Sequence, residues 1–259
     1  MNNDKTVSYL RLRNLGVFQS SGIDKKTNDD EPLTKMINYT DIYGNKSLKL
    51  DNQREYMVVS CPREKLKTCQ VNKGDLIFTP SSETIEDIGL SCLVDEIIDG
   101  TVFSYHVLRF RFILFIEHDF KKYLCNNKFV LSQFSKICVG TTRKILGRED
   151  FASAIVPVPP LQMQKAIADF LDYKTGLIDR LIEEKEKLIQ LLEEKRIALI
   201  TQAVTKGLNP KAKMKPSGID WLGDIPEQWE VKKLKYLVYM QSGYTINSIN
   251  IDQTGDYQV

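Results

Sequence analysis

Residues 177–206 read LIDRLIEEKEKLIQLLEEKRIALITQAVTK, an unbroken helical pattern whose apolar positions have no second helix in the chain to cover them. Ile178, Leu181, Ile182, Leu188, Ile189, Leu192, Leu199 and Ala203 return every three or four residues, while Glu183, Glu184, Lys187, Glu193 and Glu194 fill the other side. Burying an aliphatic side chain is worth roughly 1.5–3 kcal/mol, so half a dozen left in water forgo on the order of 10 kcal/mol, comparable to a domain's whole net stability. The helix therefore calls for a partner outside itself, and its length and charged outer positions favour helix pairing over an ordinary core face.

Outward from this stripe, Lys206-Gly207 followed by Pro210 closes the helix, and Pro159-Pro160 opens a shorter helical stretch, Leu161 to Leu171, with Ile167, Phe170 and Leu171 on one side. Asp172-Tyr173-Lys174 is expected to end that short helix, with Thr175 capping the long one and Asp179 favoured in its first turn by the helix dipole. Before Val158 the pattern is mixed. Strand-like runs at Tyr56–Ser60, Asp75–Thr79 and Thr101–Phe110 are punctuated by Gly44-Asn45, Lys73-Gly74-Asp75 and Asp99-Gly100. The fold class is α+β: a globular mixed domain over residues 1–158, a helical spacer over 159–206, and a third segment over 207–259.

The third segment opens as a basic Pro/Gly linker and turns amphipathic around Trp221, Trp229 and Leu234, two tryptophans that suggest a packed segment. It also carries a faint repeat. Leu12-Arg13-Asn14-Leu15-Gly16-Val17-Phe18-Gln19-Ser20 aligns with Leu234-Lys235-Tyr236-Leu237-Val238-Tyr239-Met240-Gln241-Ser242, with identities at Leu12, Leu15, Gln19 and Ser20. On this reading the third segment begins a second copy of the first domain, incomplete at Val259, where Gly255-Asp256-Tyr257-Gln258-Val259 reads as a strand.

Composition narrows the function classes. Against 36 Lys plus Arg stand 34 Asp plus Glu, which excludes a polycationic tail protein. The longest apolar run, Phe112 to Ile116, is far too short to span a bilayer and the N-terminus lacks a signal-peptide core, so a soluble cytoplasmic protein without membrane attachment is expected. Five scattered cysteines without a CxxC pair, and only His106 and His118 beside them, argue against zinc. No GxxxxGK[ST] phosphate loop and no GxGxxG cofactor turn occurs, so ATP chemistry and a resident nucleotide-cofactor fold are not expected. Glu83, Glu86 and Asp87 read as a solvated loop face and not as a metal site.

Recognition remains. Polar and aromatic residues interleave with basic ones in Asn38–Lys46, Thr79–Ser82 and Gly140–Lys144, the side chains that hydrogen-bond base edges and phosphates. The candidate DNA contacts are Tyr39, Tyr43, Ser81, Ser82, Thr142, Arg143 and Lys144.

These residues also carry a resemblance. Val156-Pro157-Val158-Pro159-Pro160-Leu161-Gln162-Met163-Gln164, then Ile167–Asp172, Thr175, Ile178-Asp179, Glu194-Lys195-Arg196 and Ala203–Leu208, resemble the central region of the DNA-specificity subunit of type I restriction-modification systems. Ser217–Pro226 and Trp229-Glu230 are similar to that family's lead into a second target-recognition domain, and Asn38–Tyr43, Lys73–Phe78 and Ser82-Glu83-Thr84 to its first. Met163 departs from the pattern, where the family usually has Glu before Gln164. The resemblance implies a non-catalytic subunit that reads one half of a split double-stranded DNA target and docks methyltransferase subunits through its helix. It also implies motor-nuclease subunits as further partners, no cofactor in this chain, and S-adenosylmethionine, ATP and Mg on the partner subunits. With one recognition domain and one spacer helix, a homodimer through the long helix would rebuild a two-domain reader. The competing readings are a non-functional fragment or a coiled-coil module that binds protein, and, less favoured for want of a helix-turn-helix signal, a transcriptional regulator.

Overall fold

The computed structural model describes residues 6–25 and 28–243. Its first elements are β1 (Ser8–Arg11), β2 (Gly16–Ser20), β3 (Leu33–Ile37), α1 (Tyr39–Ile42), β4 (Lys49–Leu50), β5 (Met57–Ser60) and α2 (Arg63–Thr68). There follow β6 (Leu76–Phe78), β7 (Ser81–Ser82), β8 (Ser91–Val94), β9 (Val102–Phe103), β10 (Leu108–Phe112), α3 (Lys121–Cys125) and α4 (Lys128–Ile137). The rest are β11 (Lys144–Ile145), α5 (Arg148–Ser153), β12 (Ile155–Val158), α6 (Leu161–Lys206), β13 (Met214–Pro216) and β14 (Asp224–Pro226). The chain divides into two compact units, the first ending at Ile178 and the second beginning at Asp179.

A five-stranded sheet of order β2-β10-β6-β8-β4 organises the first unit. Successive side chains of a strand point to opposite faces, and here both faces are covered. Leu76, Phe78, Leu93 and Phe110 join a core with Leu12, Leu15, Phe18, Phe134 and Phe151, while Ile77, Cys92 and Val94 join a second core with Met36, Ile37, Val59 and Phe103. This is why Leu76-Ile77-Phe78 is a continuous apolar run. Gly16 lies where β2 meets β10; a Cβ there would collide with the Arg111 carbonyl and come within 2.6 Å of the Phe110 ring.

The run Thr101–Phe110 is not one strand. It splits into β9 and β10 around a turn in which Val107 N–H donates to the Ser104 carbonyl (3.3 Å).

The helix also differs from expectation. It is continuous from Leu161 to Lys206, and the break expected at Asp172-Tyr173-Lys174 is absent. Thr175 caps nothing; its hydroxyl donates back to the Leu171 carbonyl at 2.8 Å, one turn earlier, so its polarity is met inside the helix. Asp172 serves as an anchor, with one oxygen 2.6 Å from Nζ of buried Lys122 and hydrogen-bonded to the Tyr123 hydroxyl. The opening of the helix is fastened through Gln164, only 2% exposed, whose Oε1 accepts from Glu117 N–H (2.9 Å) while its Nε2 donates to the Pro159 carbonyl (2.7 Å).

In the second unit the helix closes at Gly207 (φ +77°), whose N–H donates to the Ala203 carbonyl. Trp229 and Pro226 flank this glycine, whereas Trp221 is 84% exposed, so only one of the two tryptophans is packed. β13 and β14 pair antiparallel.

The repeat has a structural counterpart. Leu12–Asn14 and Leu234–Tyr236 both form a single 3-10 turn, entered from extended residues Arg11 and Lys233 and left through helical Leu15 and Leu237. The first copy is buried, with Leu12 and Leu15 at 0% exposure, while Leu234 and Leu237 stand at 57% and 61%. The strand read at Gly255–Val259 lies outside the described residues.

Candidate nucleic-acid interface

Helix α1 presents the first two aromatic rings. Asn38 begins it with a capping box in which Asn38 N–H donates to Asp41 Oδ2 at 2.8 Å, fixing the first turn. Tyr39 and Tyr43, four residues apart, then share one face, and their rings stack at 5.3 Å with planes 15° apart. Burial raises the Asp41 carboxyl above its ordinary range, opposed by the Asn38 N–H and by Arg54.

Two distant loops meet this helix. β7 and β11 pair antiparallel, setting Lys144 opposite Ser82 and Ile145 opposite Ser81. The hairpin carrying β11 is closed by the Val139–Ile145 bridge and turns at Gly140 (φ +110°), where any side chain would collide with the Arg143 carbonyl. Lys144 Nζ donates to the Gly140 carbonyl at 2.7 Å. Arg143 then lays its guanidinium over the Tyr39 ring at 5.3 Å and donates from Nε to Ser81 Oγ at 3.1 Å. Burial raises the Tyr39 phenol, while a hydrogen bond with Ser82 and the Arg143 charge pull the other way. Tyr43 Oη donates to Asp87 Oδ2 (3.4 Å), which also accepts from Thr84 Oγ1 (2.8 Å), and the Asp87 charge raises the Tyr43 phenol.

Six of the seven candidates, Tyr39, Tyr43, Ser81, Ser82, Arg143 and Lys144, thus come together from three separate stretches of chain. Thr142 stands exposed beside Arg143. The arrangement offers stacked ring faces, a planar guanidinium, hydroxyls and one carboxylate, the donors and acceptors that base edges and phosphates require.

Sequence reasoning missed the Tyr105–His106 pair, whose rings lie 3.8 Å apart on the turn between β9 and β10 and whose imidazole feels the Arg143 charge. Read as part of a strand, the turn gave no signal beyond two adjacent polar rings.

Among the described residues, the one group able to gather ligands around a metal is Asp95, His118 and Asp119. Lys49 Nζ already neutralises it, 3.0 Å from Asp95 and 3.6 Å from Asp119. Burial alone would raise the Asp95 carboxyl, but Lys49 and His118 hold it below its usual range.

On the long helix, Ile178, Leu181, Ile182, Leu188, Ile189, Leu192 and Leu199 are 40–57% exposed. Leu191, Ile197, Ile200 and Val204, each more than half exposed, widen the apolar arc beyond the stripe toward the C-terminal end. Among the described residues no helix is long and apolar enough to cross a membrane.

Comparison with known proteins agrees with this architecture. The model of the type I restriction modification DNA specificity domain matches residues 12–194. The MjaVIII type I restriction enzyme specificity subunit of Methanocaldococcus jannaschii is 36% identical over 104 residues, covering 40% of this chain and 23% of that protein. The putative MjaX specificity subunit of the same organism is 24% identical over 226 residues, 83% of this chain and 48% of that protein. The chain thus matches at most about half the length of these relatives. The crystal structure of the HsdS subunit from Thermoanaerobacter tengcongensis superposes with a TM-score of 0.52 at 19% identity, over 82% of this chain and 52% of that one, a likeness of fold. A mixed sheet domain, a long helix with an uncovered stripe and a family match over most of the chain lead to one conclusion: this protein belongs to the type I restriction-modification DNA-specificity family.

Proposed function

We propose that this chain is the non-catalytic DNA reader of a type I restriction-modification complex, recognising one half of a bipartite duplex target in the cytoplasm. Residues 1–158 read the half-site, 159–206 act as spacer and docking helix, and 207–259 lead into a second recognition domain. The observation that carries this reading is the convergence of Tyr39, Tyr43, Ser81, Ser82, Arg143 and Lys144 on one face of a domain matched to the specificity family.

Methyltransferase subunits dock along the long helix, and motor-nuclease subunits complete the complex. S-adenosylmethionine, ATP and Mg belong to those partners. The exposed stripe supports pairing of two copies through the same helix, which would make the reader twofold symmetric and its target a symmetric interrupted sequence.

Selection from random duplexes by the full chain with its methyltransferase subunit tests this. A symmetric split sequence is expected; an asymmetric one refutes the pairing, and no enrichment refutes the reader. Arg143→Ala should cost about 1–3 kcal/mol if it reads a base, relaxing preference at one position, whereas Lys144→Ala should weaken all sequences alike if it holds a phosphate. No change in either measure removes Arg143 from the interface.

A further inference from the structure

The turn between β9 and β10 is built into the same face and carries a group with no role so far. His106 N–H donates to Ser104 Oγ at 3.3 Å, and Ser104 Oγ donates to Asn38 Oδ1 at 3.0 Å, so the turn is fastened to the cap of the helix bearing Tyr39. Ser104 and Asn38 are 0% and 3% exposed. On its other side, Tyr105 N–H donates to the Ile23 carbonyl at 3.1 Å, tying the turn to the segment that leads to Lys25. The half-exposed Tyr105 ring supports the imidazole. Lys25 and Arg143, from two other loops, both lie within electrostatic reach of the His106 imidazole, with Asp24 as the acid that acts on it.

We propose that His106, braced by Tyr105 and Ser104, is an additional backbone-phosphate contact of this face, acting beside Lys25 and Arg143. The inference rests on the reading of this chain as a DNA binder and adds to it a position and a pH dependence. In the free protein, partial burial and then the charges of Lys25 and Arg143 keep the imidazole below its ordinary range and favour its neutral form, with Asp24 opposing them. A phosphate brought against these cations cancels their repulsion and favours the imidazolium, which donates from both ring nitrogens. Binding then takes up a proton from solvent, and affinity rises as pH falls, by at most about tenfold per pH unit for one proton.

The chain has only two histidines, so proton NMR of the full chain, with and without a pool of random-sequence duplexes, follows each imidazole separately. The expected result is an upward move of the His106 midpoint on adding duplex. His106→Gln, which keeps polarity but cannot titrate, should remove the extra affinity gained between about pH 8 and about pH 6 and lower the salt slope at acid pH by about 0.9. A His106 midpoint unmoved by bound duplex, or a variant with the wild-type pH profile, overturns the proposal and leaves the DNA-reading function standing. Failure of the wild-type chain to bind any duplex at either pH overturns both.

Discussion

Gln164 offers the sharpest test of how the long helix is joined to the sheet domain. Its amide is buried and meets two backbone groups, the Glu117 N–H and the Pro159 carbonyl. Gln164→Ala leaves both without a partner, at roughly 1–3 kcal/mol each, and water entering the vacated space recovers part, so a net loss of about 2–4 kcal/mol is expected. Against a typical stability of about 5–15 kcal/mol that is a large fraction, and for a unit of this size it lowers Tm by roughly 5–15 °C. Gln164→Leu should be nearly as damaging, because filling the volume without polar atoms leaves the same two groups stranded. Gln164→Glu separates them further: a carboxylate can accept from Glu117 N–H but cannot donate to Pro159, so its deficit relative to wild type should shrink as pH falls and the acid regains its proton. Urea unfolding followed by tyrosine fluorescence gives the free energies, and hydrogen exchange at the Glu117 amide reports the local bond. If Gln164→Ala and Gln164→Leu both unfold within about 0.5 kcal/mol of wild type, the surface-substitution range, the two hydrogen bonds do not fasten the helix.

Gly176 lies inside the long helix where an added Cβ meets nothing within 4 Å, so Gly176→Ala should stabilise by about 0.5–1 kcal/mol, and a lowered denaturant midpoint would contradict this. At Asp172 burial would raise the carboxyl, but Lys122 and Tyr123 more than offset it and hold it below its usual range. A lowered folded value means stability that is complete above the ordinary carboxylate range and lost as pH falls through the lowered one, so Asp172→Asn should flatten the acid limb of a stability–pH profile, and an unchanged limb would discount the anchor. Lys122, 4% exposed, would also lose its counter-charge, making that variant less stable than wild type at neutral pH when measured by thermal melting.

The helix was legible because periodicity is a property of neighbouring residues. The uncovered stripe, the closing Gly207 and the sheet-helix class all follow from local pattern. The false break at Asp172 arose because a polar triplet reads the same whether it ends a helix or reaches sideways to Lys122 and Tyr123, contacts set by residues some fifty positions away. Gln164 appeared in a recognisable motif, yet its reason, two backbone groups in different segments, has no local signature. The recognition face was legible as three separate polar stretches but not as one surface, since the β7–β11 pairing that joins them spans more than sixty residues. His106 was hidden by a strand pattern that the Ser104 turn interrupts.

The repeat has a consequence for how the protein avoids assembling wrongly. Val238 aligns with Gly16, and at Gly16 even a single added carbon collides with the Arg111 backbone and the Phe110 ring. The Leu234 segment therefore cannot take the place of the Leu12 segment on the β2–β10 edge, although the two turns share their backbone course. One hydrogen atom in place of an isopropyl group works like the ward of a lock. Two turns of the same backbone course are made on a single polypeptide, and the position beside the Arg111 backbone and the Phe110 ring has room for the glycine of the first and none for the valine of the second.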